Sequence, residues 1–480
     1  MYFNKKFGLL LLGSIMLSMA ASCITDIPQQ SKQPKGASVS KGTDTKSISG
    51  RTKTFTSNLP IIIINTSGKW IRDEPKIPAS MKIIYDESGG RNTLNSQHID
   101  FEGKIGIELR GKTSLGFPKK QYGVEIQDDE GNDKDASLLQ LPAESDWVLN
   151  GPYWDKTLMR NYLAYEFSNR IGRYASRTKF VELFLNDNGD ATIGDKHYAG
   201  VYLLIEKIKR GKDRVDIKSL KPANITGGYI LKIDKMDRYE TYFLTRSGTR
   251  LFHVYPKGHE MSAAQKAWIQ NYMSEFEAAL AGKDFKDPER GYPKYIDIDA
   301  FIDHFIINEL FRNIDGFRNS TYMYKDRDSK LTMGPIWDFN LSIGNAGFND
   351  GWKTDGWLIY TNPVPFWWDR LLQDKNFTQK LAKRWQALRK DVLATSKLLD
   401  AIDQTAKFLS EAQNRNFQRW SSHGRSAFGD RLLTNRGLRI YEQEVQQIKR
   451  WLQARLKWMD RHIVSPRSSP FSIQRPRRFR

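Results

Sequence analysis

Two aspartates and an asparagine near the middle of the 480-residue chain have the types and spacing for metal-assisted group transfer. Asp315 follows a predicted helix and precedes Gly316, and Asn319 comes four residues later. Asp338 follows the apolar run 335–337, at the end of a predicted buried strand. A carboxylate beside a hydroxyl, with an amide and a second carboxylate holding Mg²⁺ on nucleotide phosphates, is the minimal machinery of phosphoryl transfer. The pattern predicts such a site, although a turn aspartate is also commonly a helix cap or structural acceptor.

A glycine- and hydroxyl-rich connection between two predicted strands is a second candidate element of this site. Glycine, threonine and serine let a backbone come close to phosphates, and lysines supply positive charge. The two lysines are adjacent, and the sequence favours Lys119 over Lys120 only slightly as the one that faces a nucleotide. The alternative is a polar hairpin with solvated lysines. The predicted nucleotide contacts in this connection are Arg110, Gly111, Thr113, Ser114, Lys119 and Lys120.

The elements that must position these residues change in character near residue 261. Before it, short β-branched and apolar runs predict strands, with one helix at 155–171 for which Asp155 is the expected cap. After it, apolar residues at three- and four-residue spacing predict helices. The predicted strands are 59–65, 81–85, 104–109, 122–126, 180–185, 200–205, 228–233 and 251–255, and the predicted later helices are 262–280, 299–312, 375–392, 397–420 and 433–462. We therefore predict an α+β protein with a sheet-rich part at 59–260 and a mostly helical part at 261–464.

The first 22 residues have the pattern of a signal peptide, with Lys5 and Lys6 before an apolar run. Small residues then lead to Cys23, the only cysteine, and resemble the lipobox of bacterial lipoproteins. An ordinary signal peptide with an incidental cysteine is the alternative. The apolar run is shorter than the roughly 20 residues of a transmembrane helix. We predict lipidation of Cys23, a disordered tether at 23–58, and a protein held in the cell envelope, at the outer membrane or cell surface, by its lipid alone.

The chain is strongly basic, with a formal net charge of +20. This charge would suit an acidic partner such as a nucleic acid or an anionic membrane. However, the basic residues are spread along the whole chain, and neither a zinc-finger spacing nor an RNA-binding aromatic motif is present. We expect no nucleic-acid partner. The arginine-rich segment 465–480 is predicted to be a disordered tail.

Several short motifs occur in the order in which they occur in a known family. They are Arg110-Gly111-x-Thr113-Ser114 with Phe117-Pro118-Lys119-Lys120, Asp146-Trp147, Asp155-Lys156-Thr157 with Arg160-Asn161, Gly200-Val201-Tyr202 with Glu206, Asn313-x-Asp315-x-x-x-Asn319, and Pro335-x-Trp337-Asp338-Phe339. Each motif alone is weak, but the collinear series spans most of the chain from about residue 59 to 344. The sequence therefore resembles the spore-coat CotH kinase family.

The resemblance implies an atypical, bilobal protein-kinase-like fold that binds ATP with Mg²⁺ or Mn²⁺ and phosphorylates Ser or Thr of a protein. It implies that Asp315 accepts the hydroxyl proton, that Asn319 helps to hold metal, and that Asp338 is the principal metal ligand. Family members often have Trp-Asp-Phe-Asp, whereas here the last position is Asn340. An uncharged amide is a weaker metal ligand, so the number of metal ions stays open.

The resemblance also assigns residues to the nucleotide. One of Lys119 and Lys120 would contact the phosphates, with Glu166 on the early helix as an ion-pair partner for that lysine. Glu206 would lie near the adenine. Solvation at the edge of the core is an equally good interpretation of Glu166, and Lys112 stands where a small polar residue is expected.

A second class of function stays open on the sequence alone. Free ATP is scarce outside the cytoplasm, so the chain could instead be an inactive kinase-like lipoprotein that binds a glycan or a protein. Exposed aromatic rings stack on sugars, although clustered tryptophans are more often part of a core. The tryptophans in question are Trp352, Trp357, Trp367 and Trp368 in a predicted ordered loop. The sequence identifies neither the acceptor nor the oligomeric state.

Overall fold

The computed structural model describes residues 55–237, 239–361, 363–420 and 441–463. The strands are β1 (Thr56–Ser57), β2 (Ile61–Asn65), β3 (Ile77–Ile84), β4 (Asn92–Thr93), β5 (Ile99–Leu109), β6 (Tyr122–Gln127), β7 (Ala136–Leu138), β8 (Leu141–Glu144), β9 (Asp146–Asn150), β10 (Thr178–Asn186), β11 (Tyr198–Glu206), β12 (Tyr229–Ile233), β13 (Tyr242–Leu244), β14 (Arg250–Tyr255), β15 (Thr321–Lys325) and β16 (Leu331–Met333). The α-helices are α1 (Arg160–Arg170), α2 (Ala263–Ala281), α3 (Ile298–Phe311), α4 (Trp367–Leu371), α5 (Lys375–Lys390), α6 (Thr395–Phe408), α7 (Ser410–Arg419) and α8 (Tyr441–Ile463). The predicted signal peptide, lipidation site, basic tail and most of the tether lie outside the described residues.

Seven strands of the first half close into a barrel in the order β10-β11-β9-β6-β5-β3-β2. The barrel closes through a parallel pairing of β2 with β10, while its other pairs are antiparallel. β11 shows why these strands are apolar almost throughout. Tyr202 and Leu204 fill the barrel, whereas Val201, Leu203 and Ile205 point to the core shared with the helices. A strand that is covered on both faces has no solvent side on which polar residues would be favoured.

A second sheet of five strands, in the order β13-β14-β12-β15-β16, carries the chain toward the predicted site. β12 lies at its centre and pairs antiparallel with both β14 and β15. β15 and β16 form a hairpin whose first strand starts two residues after Asn319 and whose second strand ends five residues before Asp338. The sheet therefore determines how the two predicted site segments approach each other.

Helix α3 is the central element of the second half and buries twelve of its fourteen residues. A helix that is buried on nearly every side is stable only when other elements surround it. Asp297 caps its first turn by accepting a hydrogen bond from the N–H of Ala300. Arg312 ends it in the left-handed region, at φ +48°, where the chain turns toward Asp315.

A fully buried ion pair joins α3 to α8. Glu309 and Arg455 have 0% exposed side chains, and their Oε2 and Nη2 atoms are 2.8 Å apart. Glu309 also accepts hydrogen bonds from the backbone N–H groups of Leu358 and Ile359. Buried charges are tolerated when they are paired and hydrogen-bonded in this way.

The prediction of an α+β protein with a sheet-rich first half and a helical second half is confirmed, and each predicted strand overlaps an observed one. The single helix predicted at 397–420 is wrong, because the structure has two helices separated at Leu409. Helix α1 begins only at Arg160, yet Asp155 still accepts a hydrogen bond from the N–H of Arg160. The described residues include a strand before residue 59, since Ser57 of β1 pairs with Asn92 of β4.

Candidate functional site

The segment that carries Asp338 is held by helix α1. Asp338 has a positive φ of +58°, and its N–H donates a hydrogen bond to the hydroxyl of Tyr165 at 3.0 Å. The next residue, Phe339, donates its N–H to Oδ1 of Asn161 at 2.6 Å. An aspartate is one of the few side chains that adopts this backbone region at modest cost. Tyr165 and Asn161 therefore fix the direction in which the Asp338 carboxylate points.

Asn340 supports Asp338 from the other side. Its Nδ2 donates to Oδ1 of Asp338 at 3.0 Å, and its own Oδ1 accepts from Nδ2 of Asn161 at 3.3 Å. Its carbonyl oxygen accepts from Asn345. Both ends of the Asn340 amide are thus engaged with protein, and the residue holds Asp338 in place. Its predicted role as a metal ligand stays a prediction.

Asp315 lies in a tight turn directly after α3. Its Oδ1 accepts hydrogen bonds from Nδ2 of Asn319 at 2.8 Å and from Arg318 at 3.2 Å. The turn approaches the helix so closely at Gly316 that a Cβ there would lie 1.9 Å from Oδ1 of Asn308. Glycine is required at this position by space, and the turn thereby orients Asp315 and Asn319 together.

The pKa of Asp338 shows that its segment lies close to the turn of Asp315. Burial among protein atoms raises the pKa of Asp338, and the charges of Asp315 and Asp234 raise it further. The hydrogen bond from Asn340 and the guanidinium of Arg110 act in the opposite direction. The carboxyl group nevertheless keeps contact with solvent. Three acids therefore share one region with excess negative charge, and a cation would be attracted there.

Part of the predicted nucleotide loop reaches this region. The guanidinium of Arg110 stacks over Trp337, 5.5 Å from the ring centroid. Lys112 donates hydrogen bonds to the carbonyls of Lys235 and Met236, at 2.6 and 3.1 Å. The turn at 111–114 is compact, since Gly111 has φ +102° and a Cβ there would meet Oγ of Ser114 at 1.9 Å. The loop is thus anchored to the chain that follows β12.

Lys119 and Lys120 have partners in a different part of the molecule. Nζ of Lys119 donates to the carbonyl of Val201 at 2.5 Å and to Oδ1 of Asn416 at 2.8 Å. Burial, with a smaller contribution from the charge of Lys156, holds the pKa of Lys119 well below its usual value. Lys120 donates to the carbonyl of Leu115. Within the described residues these contacts do not join either lysine to Asp338, and the predicted phosphate contact stays a prediction.

The two glutamates assigned to the nucleotide are engaged in ion pairs. Glu166 pairs with Arg170 one turn along α1, at 2.8 Å, rather than with Lys119 or Lys120. Glu206 is fully buried and pairs with Arg177 and with Arg214. The structure therefore places Glu206 in a buried cluster with two arginines at the end of β11, and places Glu166 on a half-exposed helix surface.

Several residues of the site were not predicted from the sequence. Asp234 follows β12 directly, as Asp338 follows a buried apolar run, and this shared position at a strand end is the signal that would have found it. Lys232 lies 3.5 Å from Asp234 and 2.8 Å from Glu240, and these acids together with Tyr322 raise its pKa against the effect of burial. No sequence spacing indicates that Tyr165 holds Asp338.

The residues fit a divalent metal ion that shares its coordination with a phosphate-bearing ligand. Within the described ranges, no three His, Cys, Asp or Glu side chains converge as a complete metal cage. Mg²⁺ does not need one, because it commonly binds one or two carboxylates and completes its shell with phosphates and water. Asn319 donates a hydrogen bond through its Nδ2, so its Oδ1 can bind a cation. Asp338 is exposed to solvent, and its carboxylate can bind the same cation.

Comparison with known proteins identifies the family of the chain. The sequence profile of the family described as CotH kinase protein matches residues 107–459 of the chain. The chain belongs to this family. It is also similar to the inner spore coat protein H of Bacillus subtilis (strain 168), with 22% identity over 295 residues that cover 60% of this chain and 70% of that protein. The range 107–459 that matches the family profile contains the segments of Arg110, Asp315, Asn319 and Asp338.

The tryptophans suggested as a glycan platform are mainly structural. Trp357, Trp367 and Trp368 have exposed fractions of 4%, 0% and 1%, whereas Trp352 is 42% exposed. Three of the four rings therefore belong to the core. None of the helices within the described ranges has the length and apolar composition that crossing a bilayer would require.

Proposed function

We propose that this protein is an ATP-dependent protein Ser/Thr kinase that needs Mg²⁺ or Mn²⁺ and acts outside the cytoplasm. We further propose that its sheet-rich and helical halves act as the two lobes of a protein-kinase-like fold. Membership of the CotH kinase family supports this function. The observation that carries it is the grouping of three residues. Asp315 and Asn319 lie on one turn, and Asp338 is close enough that the charge of Asp315 raises its pKa.

Asp315 is the proposed base. Asn319 and Arg318 both donate to its Oδ1, so that the carboxylate is held in one orientation while its other oxygen accepts the proton of a Ser or Thr hydroxyl. A base that is positioned in advance loses little freedom when the acceptor arrives.

Asp338 and Asn319 are the proposed metal ligands. A divalent ion bound with ATP supplies positive charge that offsets the charge developing on the transferred phosphoryl group. Asp338 is held for this role by the N–H bond to Tyr165 and by the amide of Asn340. Asn340 is a positioning residue, because its own Oδ1 is engaged by Asn161.

Arg110 is the proposed phosphate contact of the sheet-rich half. Its guanidinium lies over Trp337, directly before Asp338, and its positive charge partly offsets the rise in the pKa of Asp338. A planar guanidinium binds phosphate oxygens through two parallel hydrogen bonds. Lys119 or Lys120 would contribute only if the loop that carries them moves, since both ammonium groups have protein acceptors.

The proposed location is the cell envelope. The similar Bacillus protein is named an inner spore coat protein, which suggests work outside the cytoplasm. A lipid on Cys23, after removal of residues 1–22, would hold this chain at a membrane through its tether. The acceptor is a protein that presents Ser or Thr.

The experiment is transfer of label from γ-labelled ATP to a serine-rich acceptor protein, with Mg²⁺, with Mn²⁺ and with EDTA. We expect incorporation that requires the metal ion and that falls by orders of magnitude in Asp315→Asn. Asp129→Asn, at an exposed aspartate in the turn after β6, is the matched control and should keep the wild-type rate. Incorporation that is absent in the wild type, or equal in Asp315→Asn and wild type, would contradict the proposal.

A further inference from the structure

The five-stranded sheet ends in an open edge at β13 (Tyr242–Leu244), which pairs with β14 alone among the described strands. In an antiparallel pair, successive residues turn their backbone N–H and C=O groups alternately toward the partner strand and away from it. The N–H of His253 donates to the carbonyl of Thr241, so residues 241 and 243 face β14. The backbone groups of Tyr242 and Leu244 therefore point to the open edge.

The groups at this edge suit one more strand. Of the four outward backbone groups, the carbonyl of Leu244 accepts a hydrogen bond from Nε2 of Gln270 at 3.3 Å. The side chains of Tyr242 and Leu244 are 41% and 49% exposed, and they lie on one face of the sheet because they are two residues apart. Outward backbone groups on an edge strand are a template for an added strand. The edge thus fits an extended polypeptide with apolar side chains at two alternate positions.

The register of the sheet places this edge level with the candidate catalytic residues. One row of directly opposite residues crosses four strands, from Tyr242 through Phe252 and Lys232 to Tyr322. Leu244 lies two positions further along and reaches the level of Asp234, which follows β12 directly. Neighbouring strands are about 4.8 Å apart, so a strand added to β13 would lie roughly 20 Å from β15 and the turn of Asp315 before it.

The exposed face of Tyr242 is the face that carries the Asp338 segment. The ring of Tyr242 packs on Phe252, with centroids 5.5 Å apart. Tyr322, at the other end of the same row, contacts the ring of Trp337 at 6.4 Å, and Trp337 directly precedes Asp338. A peptide held against Tyr242 is therefore on the side of the sheet where phosphoryl transfer is proposed.

The uncompensated charge beside the edge is positive. The acids of segment 234–240 are all paired with lysines, Asp234 and Glu240 with Lys232, and Asp237 with Lys112. Arg246 is exposed just past β13, and Arg250, opposite Leu244, lies 5.1 Å from the ring centroid of Tyr242. Within the described residues neither arginine forms a salt bridge, and Nε of Arg250 has no hydrogen-bond partner. An acidic side chain of a partner is therefore favoured here.

We propose that the β13 edge is the docking site of the acceptor protein, which adds an extended segment there as an antiparallel strand. This inference rests on the proposed kinase function. The docked segment has apolar side chains at two alternate positions, against Tyr242 and Leu244, and an acidic residue shortly before them, near Arg246. Because the added strand runs opposite to β13, the chain that precedes it leads toward Asp315. An extended chain spans about 3.3 Å per residue, so the phosphorylated Ser or Thr lies about six residues before the docked segment.

The probe is a fluorescent peptide with a single serine, a spacer of about five Gly and Gln residues, and the docking segment Glu-Gln-Val-Gln-Ile. In the control peptide, glycine replaces Val and Ile. Fluorescence anisotropy without ATP measures binding to the full-length chain, and label transfer measures kcat and KM. We expect the probe to bind about tenfold more tightly than the control peptide. Its KM should be lower by a similar factor with kcat unchanged, because docking is remote from the reacting group.

Three variants test the location. Leu244→Pro removes the outward N–H and keeps the pairing with β14, Tyr242→Ala removes the exposed ring, and Arg246→Glu reverses the charge. Each should weaken binding of the probe about tenfold and leave transfer to the control peptide unchanged. The matched controls are Trp70→Ala, at a ring that is 78% exposed, and Arg450→Glu, at an exposed position on α8. Both controls should bind the probe as the wild type does.

Thermal melts identify the variants that are folded. The proposal is overturned if the wild type binds probe and control peptide equally, or if folded Tyr242→Ala and Arg246→Glu both bind the probe as the wild type does. A wild-type dimer that Leu244→Pro converts to a monomer would also overturn it, because the edge would then hold a second copy of this chain. Binding that depends on these residues, with no label transferred to either peptide, supports the docking site and contradicts the kinase function alone.

Discussion

Glu309 and Asp338 are both acids whose pKa is raised by burial, but their surroundings differ in kind. Glu309 accepts from Arg455 and from two backbone N–H groups, so its charge is matched. Asp338 accepts from the neutral amide of Asn340 and is repelled by Asp315 and Asp234. The comparison shows that the Glu309–Arg455 pair in the last turn of α3 has matched charges, whereas the region around Asp338 keeps negative charge that a ligand must compensate.

The sharpest test of this difference is Asp338→Asn. We expect the rate of phosphoryl transfer to fall by about 10³-fold or more, because the charge that holds the metal ion is lost. The melting temperature should stay the same or rise, since the amide removes the repulsion with Asp315 and Asp234. Kinetics and thermal melts of the same preparations measure both. A large loss of stability would show that Asp338 is structural, as Glu309 is.

Arg455→Met tests the matched ion pair of Glu309 and Arg455. Removing the guanidinium leaves Glu309 buried without its partner, and we expect a loss of about 3–5 kcal/mol in the free energy of unfolding. The double variant Glu309→Gln with Arg455→Met should recover part of that loss, because no unpaired charge remains. Chemical denaturation measures all three. Equal stability of the single and double variants would contradict the account of a matched pair.

Asn340→Ala tests whether Asp338 depends on its neutral support. We expect the transfer rate or the metal affinity to fall about 10–100-fold, since residues that orient a metal ligand have effects of this size. Asn414→Ala, an exposed asparagine on α7, is the control. Rates measured over a series of Mn²⁺ concentrations separate weaker binding from slower transfer. Unchanged kinetics would show that Tyr165 and Asn161 suffice to orient Asp338.

The smallest expected effect of the uncompensated negative charge around Asp338 is on the pH dependence of stability. A carboxyl group whose pKa is higher in the folded state binds more protons there, so its contribution to stability falls as pH rises above the ordinary value of about 3.9. In metal-free protein, Asp338→Asn should therefore flatten this decline, and excess Mg²⁺ should reverse it in the wild type alone. Denaturation midpoints across the acid range measure it. A steeper decline in the variant would show the opposite sign.

Much of the fold was predictable because its patterns are local. The β-branched runs that became β2, β10 and β11 alternate between two buried faces, and the spacing of α3 is that of a helix. β9, at Asp146–Asn150, was not predicted. The strand has only five residues, and because all of them are buried, the sequence shows no alternation of apolar and polar residues. The break at Leu409 was missed because the helical spacing continues through it.

The sequence by itself determined the α+β class, the family resemblance and the turn in which Asp315 and Asn319 act as one unit, since their contact spans only four residues. Only the tertiary structure decided that Arg110 lies beside Trp337 while Lys119 binds Val201 and Asn416. These contacts join residues far apart in the chain, and their formation depends on how the barrel, α1 and α7 are packed. The sequence of a loop that resembles a phosphate-binding loop is the same whether its lysine faces a ligand or the protein core, so the sequence alone could not decide the direction of Lys119.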